Sequence, residues 1–182
     1  MRNIYACLLG SFLIGSSLFV SCTKPGDDED VIGNWKKTDD FGGDARSEAI
    51  NFTIGDFTYV GTGTTATERF KDLWEYNVAR RYWTQKADMP ALAPKRNSAV
   101  AFSINNKGYV GTGYDGIAAL NDFWEYDPTL NQWSQKASFP DEGRYDAVGF
   151  AANGKGYIAC GYAGKALNTM WQYDPASNTW TQ

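Results

Sequence analysis

Three stretches of this chain repeat one another with near-constant spacing, and that period constrains the fold more than any other feature. The segments Arg46 to Phe52, Arg96 to Phe102 and Arg144 to Phe150 share the pattern Arg-x-x-Ala-(Ile/Val)-x-Phe. Thirteen residues after each arginine stands a tyrosine, at Tyr59, Tyr109 and Tyr157, and four residues later a glycine, at Gly63, Gly113 and Gly161. Tryptophans follow at Trp74, Trp124 and Trp171, and again nine residues on at Trp83, Trp133 and Trp180. The seventh tryptophan, Trp35, precedes Arg46 by the same 11 residues that separate Trp133 from Arg144. The period is 50 and then 48 residues. A unit of that length cannot enclose a core alone and must bury its apolar side against the next unit. Every tryptophan belongs to the period, so the aromatic content is scaffold.

Within a repeat the hydrophobic period is two. Ile50, Phe52 and Ile54 alternate with Ala49, Asn51 and Thr53, as Val100, Phe102 and Ile104 do with Ala99, Ala101 and Ser103, which predicts strands packed on both faces. A second strand is expected at Thr58 to Thr62, Gly108 to Thr112 and Gly156 to Cys160. A third carries Trp74, Trp124 and Trp171, and a fourth Trp83, Trp133 and Trp180. Turn residues at Gly55-Asp56, Asn105-Asn106 and Asn153-Gly154, and again at Asp127 to Asn131 and Asp174 to Asn178, join them into hairpins. Each repeat is therefore a four-stranded antiparallel sheet.

Such a repeat, with glycines closing the second strand and Tyr and Trp at fixed offsets, resembles the kelch family of β-propellers over residues 35–182. One departure is that the family's Gly-Gly pair is replaced by Gly61-Thr62-Gly63, Gly111-Thr112-Gly113 and Ala159-Cys160-Gly161. The fold expected is all-β, a partial β-propeller of three kelch-type four-stranded antiparallel blades at about 46–86, 96–136 and 144–182. An N-terminal orphan outer strand at 35–38 precedes them. Kelch propellers close with more than three blades, and three leave two apolar blade faces uncovered. The chain is expected to be the N-terminal part of a longer propeller, or else to self-associate as three plus three blades.

The resemblance implies a non-catalytic interaction module for a protein or glycan. Some kelch propellers are instead copper-dependent carbohydrate oxidases or sialic-acid mutarotases, so a fragment of such an enzyme is the alternative. The chain contains no histidine, which removes Ser-His-Asp and Cys-His nucleophile pairs and imidazole metal ligands. No catalytic residue, metal or cofactor is assigned. With 21 acidic against 17 basic residues and a net charge of −4, there is no electrostatic footprint for nucleic acid.

The N-terminus supplies an address. Arg2 precedes an uncharged run from Ile4 to Val20, a targeting segment, and Phe19 to Cys22 resembles the lipobox of bacterial lipoproteins. Residues 1–21 are then a signal peptide and Cys22 is the lipidated residue, with an uncleaved anchor or an ordinary secretory signal as the alternatives. Residues 22–34 form a tether whose acidic run, Asp27 to Asp30, resembles the signal that sends lipoproteins to the outer face of the outer membrane. Lipid anchoring to the outer membrane or cell surface is expected. Cys7 and Cys22 fall in these segments, which leaves Cys160 without a disulfide partner. It is expected as a small buried hydrophobe.

The connections between strands two and three, and from blade to blade, are long and varied and share one rim, so that rim is the candidate ligand surface. Tyr114, Asp115, Tyr162 and Lys165 follow the glycine runs there and are the ligand-binding candidates. Arg46, Arg96 and Arg144 recur at one position, which predicts a structural ion pair or backbone contact. Glu75 and Glu125 also recur, but Gln172 replaces them in blade three, so they form no obligatory catalytic set.

Overall fold

A computed structural model describes residues 37–182. The expected signal peptide (1–21), Cys22, the expected tether and the Trp35-Lys36 half of the expected orphan strand lie outside the described residues. Blade one contains β1 (Ile50–Ile54), β2 (Phe57–Gly61), β3 (Leu73–Asn77) and β4 (Tyr82–Lys86). Blade two contains β5 (Val100–Ile104), β6 (Lys107–Gly111), β7 (Phe123–Asp127) and β8 (Gln132–Gln135). Blade three contains β9 (Val148–Ala152), β10 (Lys155–Ala159), β11 (Met170–Asp174) and β12 (Thr179–Thr181). Each blade is an antiparallel sheet in simple up-and-down order. The second strands begin and end one residue earlier than the sequence suggests, because Thr62, Thr112 and Cys160 turn into the left-handed region at φ 52°, 59° and 61° and cannot continue a ladder.

Local chemistry sets the registers. Left-handed φ values at Asn105 and Asn106 (51° and 60°) and at Asn153 and Gly154 (50° and 72°) make the tight hairpins whose twist matches the strands. They place Phe52 opposite Tyr59, Phe102 opposite Tyr109 and Phe150 opposite Tyr157. At the outer hairpins Asp127 Oδ1 accepts the Thr129 amide at 2.8 Å and Asp174 Oδ1 that of Ala176 at 3.0 Å.

The core lies in the seams between blades. Ile50, Phe52, Tyr59 and Leu73 of blade one pack with Val110 and Tyr126 of blade two. Val100, Phe102, Tyr109 and Phe123 of blade two pack with Ile158 and Tyr173 of blade three. Glycine makes the approach possible: a Cβ on Gly108 would lie 2.3 Å from the Phe52 ring, and one on Gly156 2.3 Å from Phe102. The innermost strands β1, β5 and β9 are neighbours. Just before them, Ser98 donates its amide to the Glu48 carbonyl and Asp146 to that of Ser98, both at 3.1 Å. All three residues sit at left-handed φ, 55°, 52° and 52°.

The recurring arginines brace each blade. Arg96, fully buried, donates to the Thr112 carbonyl at 3.0 Å and grips Asp122 with both terminal nitrogens at 2.6 and 2.5 Å. Trp124 Nε1 donates to the same carboxylate at 2.6 Å. Blade one repeats this with Arg46, the Thr62 carbonyl, Asp72 and Trp74. In blade three Thr169 stands where the aspartate would be, and Asp141 from the preceding connection supplies the carboxylate to Arg144 at 2.6 Å and to Trp171 at 3.3 Å. A buried guanidinium without a carboxylate is costly, which accounts for the replacement.

Of the expected orphan strand, the described residues Lys37 and Thr38 carry no ladder; residues 38–46 cross blade one as a connection does, with Phe41 edge-on to Trp83 at 4.9 Å, as Phe139 is to Trp180 at 5.2 Å. Two expectations are corrected. Among the described residues one blade face is open and apolar, that of blade three, where Val148, Phe150 and Met170 are exposed. The opposite end, on blade one, presents Asn51 and Thr53 to solvent. Cys160 is exposed, whereas its counterparts Thr62 and Thr112 are buried beneath the following blade.

Candidate functional site

The rim that carries the long connections is tied together by backbone bridges. Thr64 pairs with Ser47, Tyr114 with Asn97, and Tyr162 with Tyr145. Each bridge joins the residue after a glycine run to the residue after the buried arginine, so the chain is fixed where the side chains emerge. The positively signed φ of Gly63, Gly113 and Gly161 (92°, 99° and 96°) turns the chain into these bridges.

Three tyrosines form a row across blades two and three. Tyr114 lies 5.3 Å from Tyr145, and Tyr145 lies 5.5 Å from Tyr162, both pairs tilted. The Arg69 guanidinium extends the row from blade one, 5.2 Å over the Tyr114 ring. Gly116, at φ 102°, leaves it room: a Cβ there would lie 2.5 Å from the guanidinium. Arg69 Nε donates to Asn97 Oδ1, Asn97 Nδ2 donates to the Glu48 carboxylate, and Ser98 Oγ donates to the same carboxylate at 2.8 Å. Desolvation raises the Tyr145 hydroxyl above the ordinary tyrosine range, with Tyr162 and Asp146 adding to it. The row therefore offers neutral aromatic surface, a cation held at one end, and the carboxyl groups of Glu48 and Asp146 beside it.

Among the four candidates from the sequence, Tyr114 and Tyr162 belong to this row and are joined through Tyr145, which was read only as part of the repeated arginine segment. Asp115 faces its own loop: Oδ1 accepts the Ile117 and Ala118 amides at 2.7 Å, and the Ala118 bond foremost holds its carboxyl below the usual range. It holds up the loop tip, where Ile117 projects into solvent. Lys165 stands apart on an exposed loop, 3.9 Å from Glu142. Arg69, Asn97, Glu48 and Tyr145 were missed. A usable signal lay in the two residues after each repeated arginine, which change type from blade to blade while the arginine and the alanine do not.

The opposite rim holds a cleft of about 540 Å³ between blades one and two, lined by Ile54, Phe57, Tyr59, Glu75, Pro128 and Thr129. Its Tyr59 and Glu75 are already engaged with each other. Tyr59 donates to Glu75 at 2.5 Å and Lys86 lies 3.6 Å from the same carboxylate; burial, then Glu75, pushes the Tyr59 hydroxyl far up. Tyr109, Glu125 and Lys136 repeat the arrangement in blade two, and Tyr157 donates to Gln172 at 3.0 Å in blade three. This is a structural unit of the seam. Among the described residues no three Cys, Asp or Glu side chains converge as a metal site would require.

The family model described as the KLHDC2/KLHL20/DRC7 Kelch-repeats domain matches residues 35–182. No curated protein matches the chain.

Proposed function

Because the chain belongs to the kelch-repeat family, a family of protein-interaction propeller modules, we propose that it is exported, anchored by lipid at Cys22, and engages a protein segment with its tyrosine row. The observation that carries this reading is the continuity of Arg69, Tyr114, Tyr145 and Tyr162 across three blades on the rim of varied loops. Tyrosines fixed by backbone bridges give contact area at small entropic cost. Glu48 and Asp146 beside them favour a segment bearing arginine or lysine, whose cation would stack on the rings. A glycan is the second reading, favoured by Tyr162, whose ring is open to solvent.

A photo-crosslinking residue placed at Tyr162 in the full chain, in its own cell envelope, is expected to form protein adducts, and one placed at Asn106 on the opposite rim is not. Adducts from Asn106 alone would overturn the assignment of the rim, and sugar binding lost on Tyr162→Ala without any protein adduct would favour the glycan. For the anchor, wild-type chain is expected to incorporate labelled fatty acid and Cys22→Ser to lose it. An unlabelled wild-type chain released in soluble form would instead mark an ordinary secretory signal.

A further inference from the structure

The first seam opens, on the rim opposite the tyrosine row, as the cleft of about 540 Å³, a volume within the range of small-molecule sites. On the same rim the second seam leaves about 220 Å³, with no charged side chain among the described residues that line it. One repeat position separates the two seams. Strands β6 and β10 begin with Lys107 and Lys155, which pair across the sheet with Asp127 and Asp174. Strand β2 begins with Phe57, and the residue opposite it on β3 is Asn77. Blade one therefore has a ring where the other blades carry an ammonium and its aspartate. Two carboxylates remain in the lining, Glu75 beside Tyr59 and the exposed Asp56. The Tyr59 hydroxyl and the Lys86 ammonium both reach Glu75 through Oε2, and no hydrogen bond among the described residues uses Oε1. No described cation lines the cleft, whose apolar walls are Ile54, Phe57 and Pro128.

We propose that this cleft binds a small primary ammonium compound with an apolar ring, an aralkylammonium, its ring against Phe57, Ile54 and Pro128 and its charge toward Glu75 and Asp56. The lining selects that chemistry. Apolar walls take the ring out of water. Carboxylates give the cation charge-assisted hydrogen bonds, for which a primary ammonium has three donors, and the faces of Phe57 and Tyr59 attract it further. An anion meets two like charges in the same space, and a neutral ring gains contact without a countercharge. The trio of Tyr59, Glu75 and Lys86 is scaffold, since Tyr109, Glu125 and Lys136 repeat it in blade two. What makes a site of it is Phe57 and Asp56, whose counterparts in blade two are Lys107 and Asn106. The inference is independent of the tyrosine row, which lies on the other rim.

Phenethylammonium is the probe, with 2-phenylethanol and phenylacetate as its neutral and anionic counterparts, each titrated into the full chain and followed by calorimetry and amide chemical shifts. Phenethylammonium is expected to bind with a Kd of about 1 mM or below, at least about tenfold tighter than the alcohol. It is expected to shift the Phe57, Asn106 and Thr129 amides and to weaken as salt is added; phenylacetate is expected not to bind. Two variants copy residues that the chain already carries at the same repeat positions, and the urea midpoint of each reports whether it is folded. Phe57→Lys with Asn77→Asp installs the ion pair of blades two and three and is expected to abolish binding. Glu75→Gln follows blade three, where Gln172 accepts from Tyr157 at 3.0 Å, and is expected to remove the preference for the ammonium while the alcohol still binds. Phenethylammonium that binds no tighter than the alcohol overturns the proposal. So do shifts confined to the Tyr114, Tyr145 and Tyr162 amides, or binding that survives Phe57→Lys with Asn77→Asp in a folded chain.

Discussion

Arg96 shows how much one side chain holds in this repeat: a fully buried guanidinium joins a strand end, an aspartate and, through that aspartate, a tryptophan. Arg96→Ala leaves Asp122 without its countercharge in a low-dielectric seam and is expected to cost about 3–5 kcal/mol in urea denaturation. The residue that accepts from it is itself strained. Thr112 is β-branched, lies at φ 59°, and its buried Oγ1 has no hydrogen-bond partner among the described residues. A glycine at position 112 would suit that backbone. Thr112→Gly removes left-handed strain of about 1–2 kcal/mol and an unpaired hydroxyl, against a glycine entropy cost of about 1 kcal/mol. A net stabilisation of about 1 kcal/mol is expected from the urea midpoint, and an unchanged or lowered midpoint would contradict the strain.

At the scale of elements, the unit of stability is the seam. A Cβ at Gly156 would overlap the Phe102 ring, so Gly156→Ala is expected to destabilise by about 1–3 kcal/mol, with Phe102→Leu in the same chain recovering about 1 kcal/mol of it. Gly154→Ala, at φ 72° with open space around it, meets left-handed backbone strain of about 1 kcal/mol and no clash, and Phe102→Leu should not rescue it. Blades and hairpins were legible in the sequence because alternation and turn chemistry act within a few residues, as at Phe52, Tyr59 and Asn105-Asn106. The tyrosine row was only half legible: Tyr114 and Tyr162 stand out after the glycines, whereas Tyr145 reaches them through a bridge between connections distant in the chain. The exposure of Cys160 was not legible either, since the equivalent repeat position is buried or open according to whether a blade follows. Asp141 standing in for the missing aspartate of blade three likewise depends on a connection that crosses from the blade before.

For the whole molecule, titration behaviour follows from where the carboxyl and phenol groups sit. The hydroxyl of Tyr76 foremost, then Arg81, holds Asp39 below 3.8. Hydrogen bonds from Lys107 and Lys155 do the same for Asp127 and Asp174, and the Glu142 amide for Asp141. A folded pKa below the unfolded one stabilises above the unfolded value and is lost as pH falls, so the urea midpoint is expected to be level above about pH 5 and to drop below pH 4. These groups lie near the surface, so salt should flatten the drop. Burial foremost raises Tyr59, Tyr109 and Tyr126 well above 10.0 and pushes Tyr173 up to about 12. Raised values stabilise below 10.0 and fade as pH climbs past it, and phenolate absorbance from these four is expected only together with unfolding. Early, reversible ionisation of all the tyrosines would contradict buried seams.

The amide ladder from Glu48 to Ser98 to Asp146 has a bearing on how such a molecule can change over time. Peptide groups make the link there, so a glutamate, a serine and an aspartate occupy one structural position with the same backbone conformation. The peptide link is independent of which side chain stands there, and the Glu48 carboxylate adds bonds from Asn97 and Ser98 between blades one and two. An array of this kind can be rewritten at these points beside its tyrosine row, one blade at a time, while the backbone joinery between blades goes untouched.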